Sequence, residues 1–173
     1  MIVHDNIIYI SDISRLGGVE SYAYYMAKKY QDYDIAVVCK SGDVNQLERI
    51  RKYCPAYEHR GNEEIKCKTI VINYDTSILD YVECDNCYMV VHADYSQSCY
   101  TKLPNWDDKR ITKVLVITKY LQKMMKDKFN KECELCYNPL VPEEPCNRVV
   151  LVSATRLSKI KRWLANESIR RRA

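Results

Sequence analysis

NIIYISDISRLGGVESYAYYMAKKYQDYDIAVVC (residues 6–39) holds the pattern that decides the fold. Ile7-Ile8-Tyr9-Ile10 is a short apolar run of β-prone residues and reads as a strand. Residues 12–18 form a polar turn ending in Gly17-Gly18. Val19, Tyr22, Ala23, Met26, Ala27 and Tyr30 then recur at i, i+3, i+4 and i+7, the stripe of an amphipathic helix over residues 19–30. Ile35-Ala36-Val37-Val38 is a second buried strand over residues 34–39. Strand, turn, helix and strand within some thirty residues make one βαβ unit, whose two strands lie parallel.

The same alternation continues outward. Residues 44–53 read as a helix and 68–72 as a strand. Residues 76–82 read as a short helix with Thr76 or Ser77 as its cap. Residues 88–91 are a strand, and 94–110 a polar loop with Pro104 and Trp106. A strand over 114–117, a helix over 119–130 and a strand over 133–137 follow. Pro139, Pro142 and Pro145 mark residues 138–147 as a linker, and 149–152 read as one more strand. The strands are continuous apolar runs, as expected where a sheet is covered on both faces. The predicted class is α/β, a Rossmann-like, doubly wound and mostly parallel sheet. One domain is expected over residues 1–145, with residues 146–173 as the start of a second and a basic tail.

The composition agrees with a packed domain. In 173 residues, 47% are hydrophobic and 29% charged, a globular balance. No apolar run reaches the roughly 18 residues of a membrane span. The opening Met1-Ile2-Val3-His4-Asp5 lacks a signal-peptide layout, so a cytoplasmic location and reduced thiols are expected. Charge is uneven: residues 1–100 carry 10 basic and 15 acidic side chains, residues 101–173 carry 17 and 8. The basic part suits nucleic acid, an anionic membrane surface or phosphate-bearing ligands, and equally a solvated face. Nine cysteines cannot pair completely. Cys84-x-x-Cys87 and Cys133-x-x-Cys136 have zinc-like spacing. However, 45 residues separate the pairs, and residues three apart on a strand point to opposite faces. Small buried hydrophobes are the expected role, with no metal.

Ligands on such sheets bind beyond the strand C-termini, so the residues following each strand carry the functional reading. Gly17 and Gly18, followed by Glu20, open a helix; this fits a phosphate cradle or simply a tight strand-to-helix turn. The third glycine of a dinucleotide fingerprint is missing. His92-Ala93-Asp94-Tyr95 follows the fourth apolar strand. His92 there fits a ligand hydrogen bond or a locally satisfied histidine. Asn138 follows the sixth strand. Arg156 and Lys161 follow the last, where two cations suit a diphosphate or a plain basic surface.

The set in order is Gly-Gly-Val-Glu, His-x-Asp-Tyr, Ile-Thr-Lys-Tyr-Leu, Tyr-Asn-Pro-Leu and Ser-Ala-Thr-Arg-Leu-Ser-x-x-Lys. It resembles the family-4 retaining glycosyltransferases, enzymes with the two-Rossmann-domain architecture called GT-B. The resemblance covers residues 1–161. It implies sugar transfer from a nucleotide-sugar donor to a glycan or lipid-linked acceptor with retention, without a metal cofactor. It implies that Gly17 and Gly18 underlie the donor phosphates and that His92 contacts the transferred sugar. It gives Arg156 and Lys161 the leaving diphosphate. Glu20, Asp94, Tyr95 and Asn138 are expected along the substrate cleft.

Arg162 stands where that family has a glycine, and the rest of a donor domain does not follow. The chain is thus expected to be an acceptor-side half with a stub and to transfer sugar poorly alone. A non-catalytic carbohydrate- or nucleotide-binding module, pairing with itself or another chain, is the alternative. Lys119, Lys123, Lys126 and Lys128 ring a helix with an apolar side, which suits peripheral contact with an anionic membrane at the inner face. No nucleic-acid motif is present, and no nucleic-acid partner is expected.

Overall fold

Strands and helices alternate as the sequence pattern predicts in the computed structural model, which describes residues 1–14, 17–98, 100 and 102–139. The elements are β1 (Ile2–Val3), β2 (Asn6–Ile13), α1 (Gly18–Lys29), β3 (Ile35–Gly42), α2 (Val44–Arg51) and β4 (Ala56–Glu58). Then come β5 (Ile65–Asn73), a 3₁₀ turn (Ser77–Tyr81), β6 (Val82–Val91), β7 (Lys113–Val116), α3 (Lys119–Phe129) and β8 (Glu134–Leu135). The chain divides into two compact units, Met1–Val141 and Pro142–Ala173. The second unit, with the strand expected over 149–152, lies outside the described residues.

The strand order is β4-β3-β2-β5-β6-β7-β8, with β1 beside β5, and every pairing is parallel. The sheet grows one way from β2 to β4 and the other way from β5 to β8. This is the doubly wound arrangement, and its switch point lies between β2 and β5. β1 and β2 lie along β5 in one register: Ile2 faces Ile65 and Asn6 faces Thr69. Between them the Asp5 carbonyl accepts from both Lys68 N–H and Thr69 N–H, which kinks the pair as a bulge does.

Each face has its own core. Val19, Tyr22, Ala23 and Ala27 of α1 and Leu47 and Ile50 of α2 pack on Ile8, Ile10, Val37 and Cys39. On the other face, Ile78 and Leu79 of the 3₁₀ turn and Leu121, Met124 and Met125 of α3 pack on Ile7, Tyr9, Ile72, Met89 and Val116. The helix ends are set locally. Asp43 caps α2 by accepting from the N–H groups of Asn45 and Gln46, and Thr118 caps α3 through Leu121 N–H. Asn130 ends α3 in the left-handed region, φ 51°.

Several expectations change. The 3₁₀ turn gains its first bond from Asp75, which accepts from Ser77 N–H, and not from the Thr76 or Ser77 hydroxyl. β6 starts at Val82, six residues before the apolar run at Tyr88, so Cys84 and Cys87 sit inside a strand. The loop over 94–110 is less polar in space than in sequence, because Tyr95 and Trp106 are buried in the core. The apolar side of α3 is consumed by that core. The exposed side of α3 carries Lys119, Lys123, Lys126 and Lys128 with Tyr120, and Lys126 is paired with Glu132. Among the described residues, no helix is long and apolar enough to cross a membrane.

Candidate functional site

At the switch point between β2 and β5, residues that follow three strand ends come together. Past β2, Gly17 is the N-cap of α1 in an extended conformation, φ −128°, that any residue adopts. Its lack of a side chain has a local use: a Cβ there would come within 2.5 Å of Glu20 Oε2. Glu20 thus folds back over the start of α1, where a carboxylate complements the helix dipole. A Cβ on Gly18 would meet open space.

Past β5 and β6 lies a buried polar relay. Asn73 closes β5 and is fully buried. Its Nδ2 donates to the Tyr9 carbonyl at 2.9 Å, which turns Oδ1 toward His92 Nε2 at 2.6 Å. Because Oδ1 can only accept, His92 carries its proton on Nε2. The neutral ring is thereby left with Nδ1 as an acceptor. Burial pushes the imidazole down from 6.5 to about 4, so it is uncharged at neutral pH. The Tyr22 ring, one turn into α1, packs edge-on against His92 with centroids 4.9 Å apart. This contact joins the glycine turn to the strand-end histidine. Tyr74, next to Asn73, has φ 69° and lies 6.0 Å from the His92 ring. A left-handed conformation is uncommon for an aromatic residue and clusters at functional positions.

Asp94 is exposed to one side and fixed by neighbours. It accepts from Ser96 N–H, from the Ser96 hydroxyl and from Tyr120 Oη at 2.6 Å. These bonds hold its carboxyl down at about 2. The Tyr120 bond ties the His-x-Asp-Tyr segment to the first turn of α3, so two sequence motifs meet in space. Tyr95 sits elsewhere: it is 5% exposed, against Tyr74, Tyr100 and Trp106. Its hydroxyl has no hydrogen-bond partner among the described residues. Tyr95→Phe is therefore expected to stabilise the protein by about 1 kcal/mol, since an orphaned buried hydroxyl costs on that order. Chemical denaturation checks this; a loss of stability would mean that the hydroxyl is bonded.

Asn138 is exposed beyond β8. Arg156 and Lys161 lie outside the described residues. Sequence reasoning missed Asn73, Tyr22 and Tyr74. The signal for Asn73 was a lone amide ending the apolar run Ile70-Val71-Ile72.

The cysteine pairs do not assemble. Among the described residues, no three His, Cys, Asp or Glu side chains come together as a metal site. Burial pushes the Cys87 thiol up to about 12 and that of Cys133 to about 11, which keeps both protonated.

No protein-family model matches this chain, and no curated protein or solved structure matches it either. The site is therefore read from its own chemistry.

Proposed function

We propose that this domain is the acceptor-side half of a retaining glycosyltransferase that uses a nucleotide-sugar donor. The observation that carries the reading is His92, held neutral beyond the end of β6 with Nδ1 left to accept a hydrogen bond. A sugar hydroxyl is a natural donor to such an atom, and an imidazole near pKa 4 does not compete by protonating at neutral pH. Tyr22 and Tyr74 pack against the ring and hold it in place. In this reading Gly17 and Gly18 lie under the donor phosphates and Arg156 and Lys161 neutralise the leaving diphosphate. Asp94 and Tyr120 lie beside the substrate, and the acceptor is a glycan or a lipid-linked sugar, with anionic-membrane contact through the lysines of α3. No protein nucleophile is assigned.

One observation favours a second reading, a non-catalytic carbohydrate- or nucleotide-binding module. The Glu20 carboxylate stands over the start of α1, where donor phosphates would bind, and must swing away to admit them.

Saturation-transfer NMR of the 173-residue chain with UDP-glucose and GDP-mannose tests both. Signal on sugar protons is expected, and His92→Phe should weaken it about tenfold, the cost of a lost hydrogen-bond acceptor. Release of the sugar with its anomeric configuration retained supports transfer, and binding without release supports the module. Absence of binding, or binding indifferent to His92→Phe and Gly18→Val, would overturn both.

A further inference from the structure

One cavity is not used by that reading. It lies on the sheet face opposite α1, where the Tyr9 ring belongs to the α3-side core. It has a volume of about 370 Å³ and opens to solvent; Lys40, His59, Arg60, Ser77, Asp80 and Tyr81 line it, with Tyr9 at its base. Four donor-bearing residues of the lining, Lys40, Arg60, Ser77 and Tyr81, are exposed. None of their side chains has a hydrogen-bond or ion-pair partner among the described residues.

One carboxylate, Asp80, is in the lining itself, and both it and Asp75 are engaged by other groups. Asp80 lies 2.9 Å from Arg110 Nη1. Asp75 accepts from Ser77 N–H at 2.9 Å and from Tyr9 Oη at 3.4 Å. Two cations are thus left unneutralised around one cavity.

The loop carrying Arg60 is fixed without using its guanidinium. His59, 5% exposed, accepts from Gly61 N–H at Nδ1 and donates from Nε2 to the Glu63 carbonyl at 2.7 Å. Arg60 N–H donates to Glu63 Oε2 at 3.2 Å. Gly61 turns the chain at φ +82°, a conformation that favours glycine. Arg60 is placed beforehand, so a ligand does not bear the cost of ordering the loop.

We infer that this cavity binds a phosphate monoester of a small hydroxylated molecule, such as a sugar phosphate. A guanidinium fork and an ammonium suit the dianion. The two hydroxyls suit a polyol, and the Tyr81 ring, 41% exposed, supplies a flat wall. The volume lies in the range of small-molecule sites. The inference stands apart from the function proposed for His92.

The test is a ¹⁵N NMR titration of the full chain with glucose 6-phosphate, inorganic phosphate and glucose in separate arms. Glucose 6-phosphate should shift the Arg60, Gly61 and Ser77 amides saturably, phosphate more weakly and glucose not at all. Lys40→Ala and Arg60→Ala remove exposed, unpartnered side chains and leave the fold intact. Each should weaken glucose 6-phosphate binding about tenfold, as expected for one charge-assisted contact. Unchanged affinity in the double variant would overturn the inference. So would shifts confined to Gly17 and Gly18 or to residues beyond 140. Equal affinity for phosphate and glucose 6-phosphate would overturn recognition of the hydroxylated body.

Discussion

Asn73→Ala is expected to destabilise the protein by about 3 kcal/mol, an effect far larger than its size suggests. The side chain is completely buried and bonds on both sides, to the Tyr9 carbonyl and to His92 Nε2–H. Truncation leaves the imidazole N–H pointing into a dry gap and removes one bond from Tyr9. An unmade buried hydrogen bond costs on the order of 1–3 kcal/mol, and the vacated space adds a cavity cost. Asn73→Asp separates the two contributions. It keeps the shape and the acceptor toward His92, but sets a carboxylate oxygen against the Tyr9 carbonyl. The Asp–His pair then titrates as a unit, and its proton is held more tightly than by His92 alone. The Asp variant should therefore gain stability on acidification from pH 8 to 6, whereas the Ala variant should not. Urea denaturation across that range checks both. An Ala variant within about 0.5 kcal/mol of the parent would show that the relay contributes nothing, since ordinary surface changes fall in that span.

Residues that act through a period were legible from the chain; residues that act alone were not. Val19, Tyr22, Ala23 and Ala27 announce α1 because their spacing matches the helix, and all four are buried as that spacing requires. Ile35 to Val38 announce a strand buried on both sides. From such runs the parallel, doubly wound sheet follows. β4 is only three residues, two of them exposed, and carries no period to read. The first half of β6, Val82 to Cys87, alternates burial before the core run begins, so its apolar signal is diluted. Tyr95 and Trp106 are single aromatics in a polar stretch, and only tertiary packing brings them together.

The candidate site divides in the same way. The glycine turn and His92 follow strands and were visible for that reason. Asn73, which sets the protonation of His92, sits 19 residues away in sequence and becomes its neighbour only through the pairing of β5 with β6. The charge expected from outside at the start of α1 is supplied from within by Glu20, a detail no spacing rule contains.

The pH dependence of folding should carry the signature of His92. Its folded pKa is lowered from 6.5 to about 4 by burial, so the native state holds the neutral ring. Between those two values the unfolded chain binds a proton that the native state refuses. Stability must therefore fall as the pH drops through that window and be fully present above it. The size follows from the shift, at about 1.4 kcal/mol for each unit. Because the ring keeps some solvent contact, a loss of about 2–3 kcal/mol between pH 7 and pH 4 is expected. The depressed carboxyls act elsewhere: Asp94 and Asp108 are held at about 2, so their contribution is lost only below about pH 4. His92→Gln isolates the imidazole, because an amide donates to Asn73 Oδ1 without titrating. The variant should lose the slope between pH 6.5 and 4 while keeping the steeper acid limb beneath it. Denaturation midpoints at half-unit pH steps, parent against variant, give the comparison. Parallel curves across the window would mean that His92 protonates freely in the native state. The imidazole would then be charged in part near neutral pH, and the burial that keeps it wholly neutral in the sugar-binding reading would be absent.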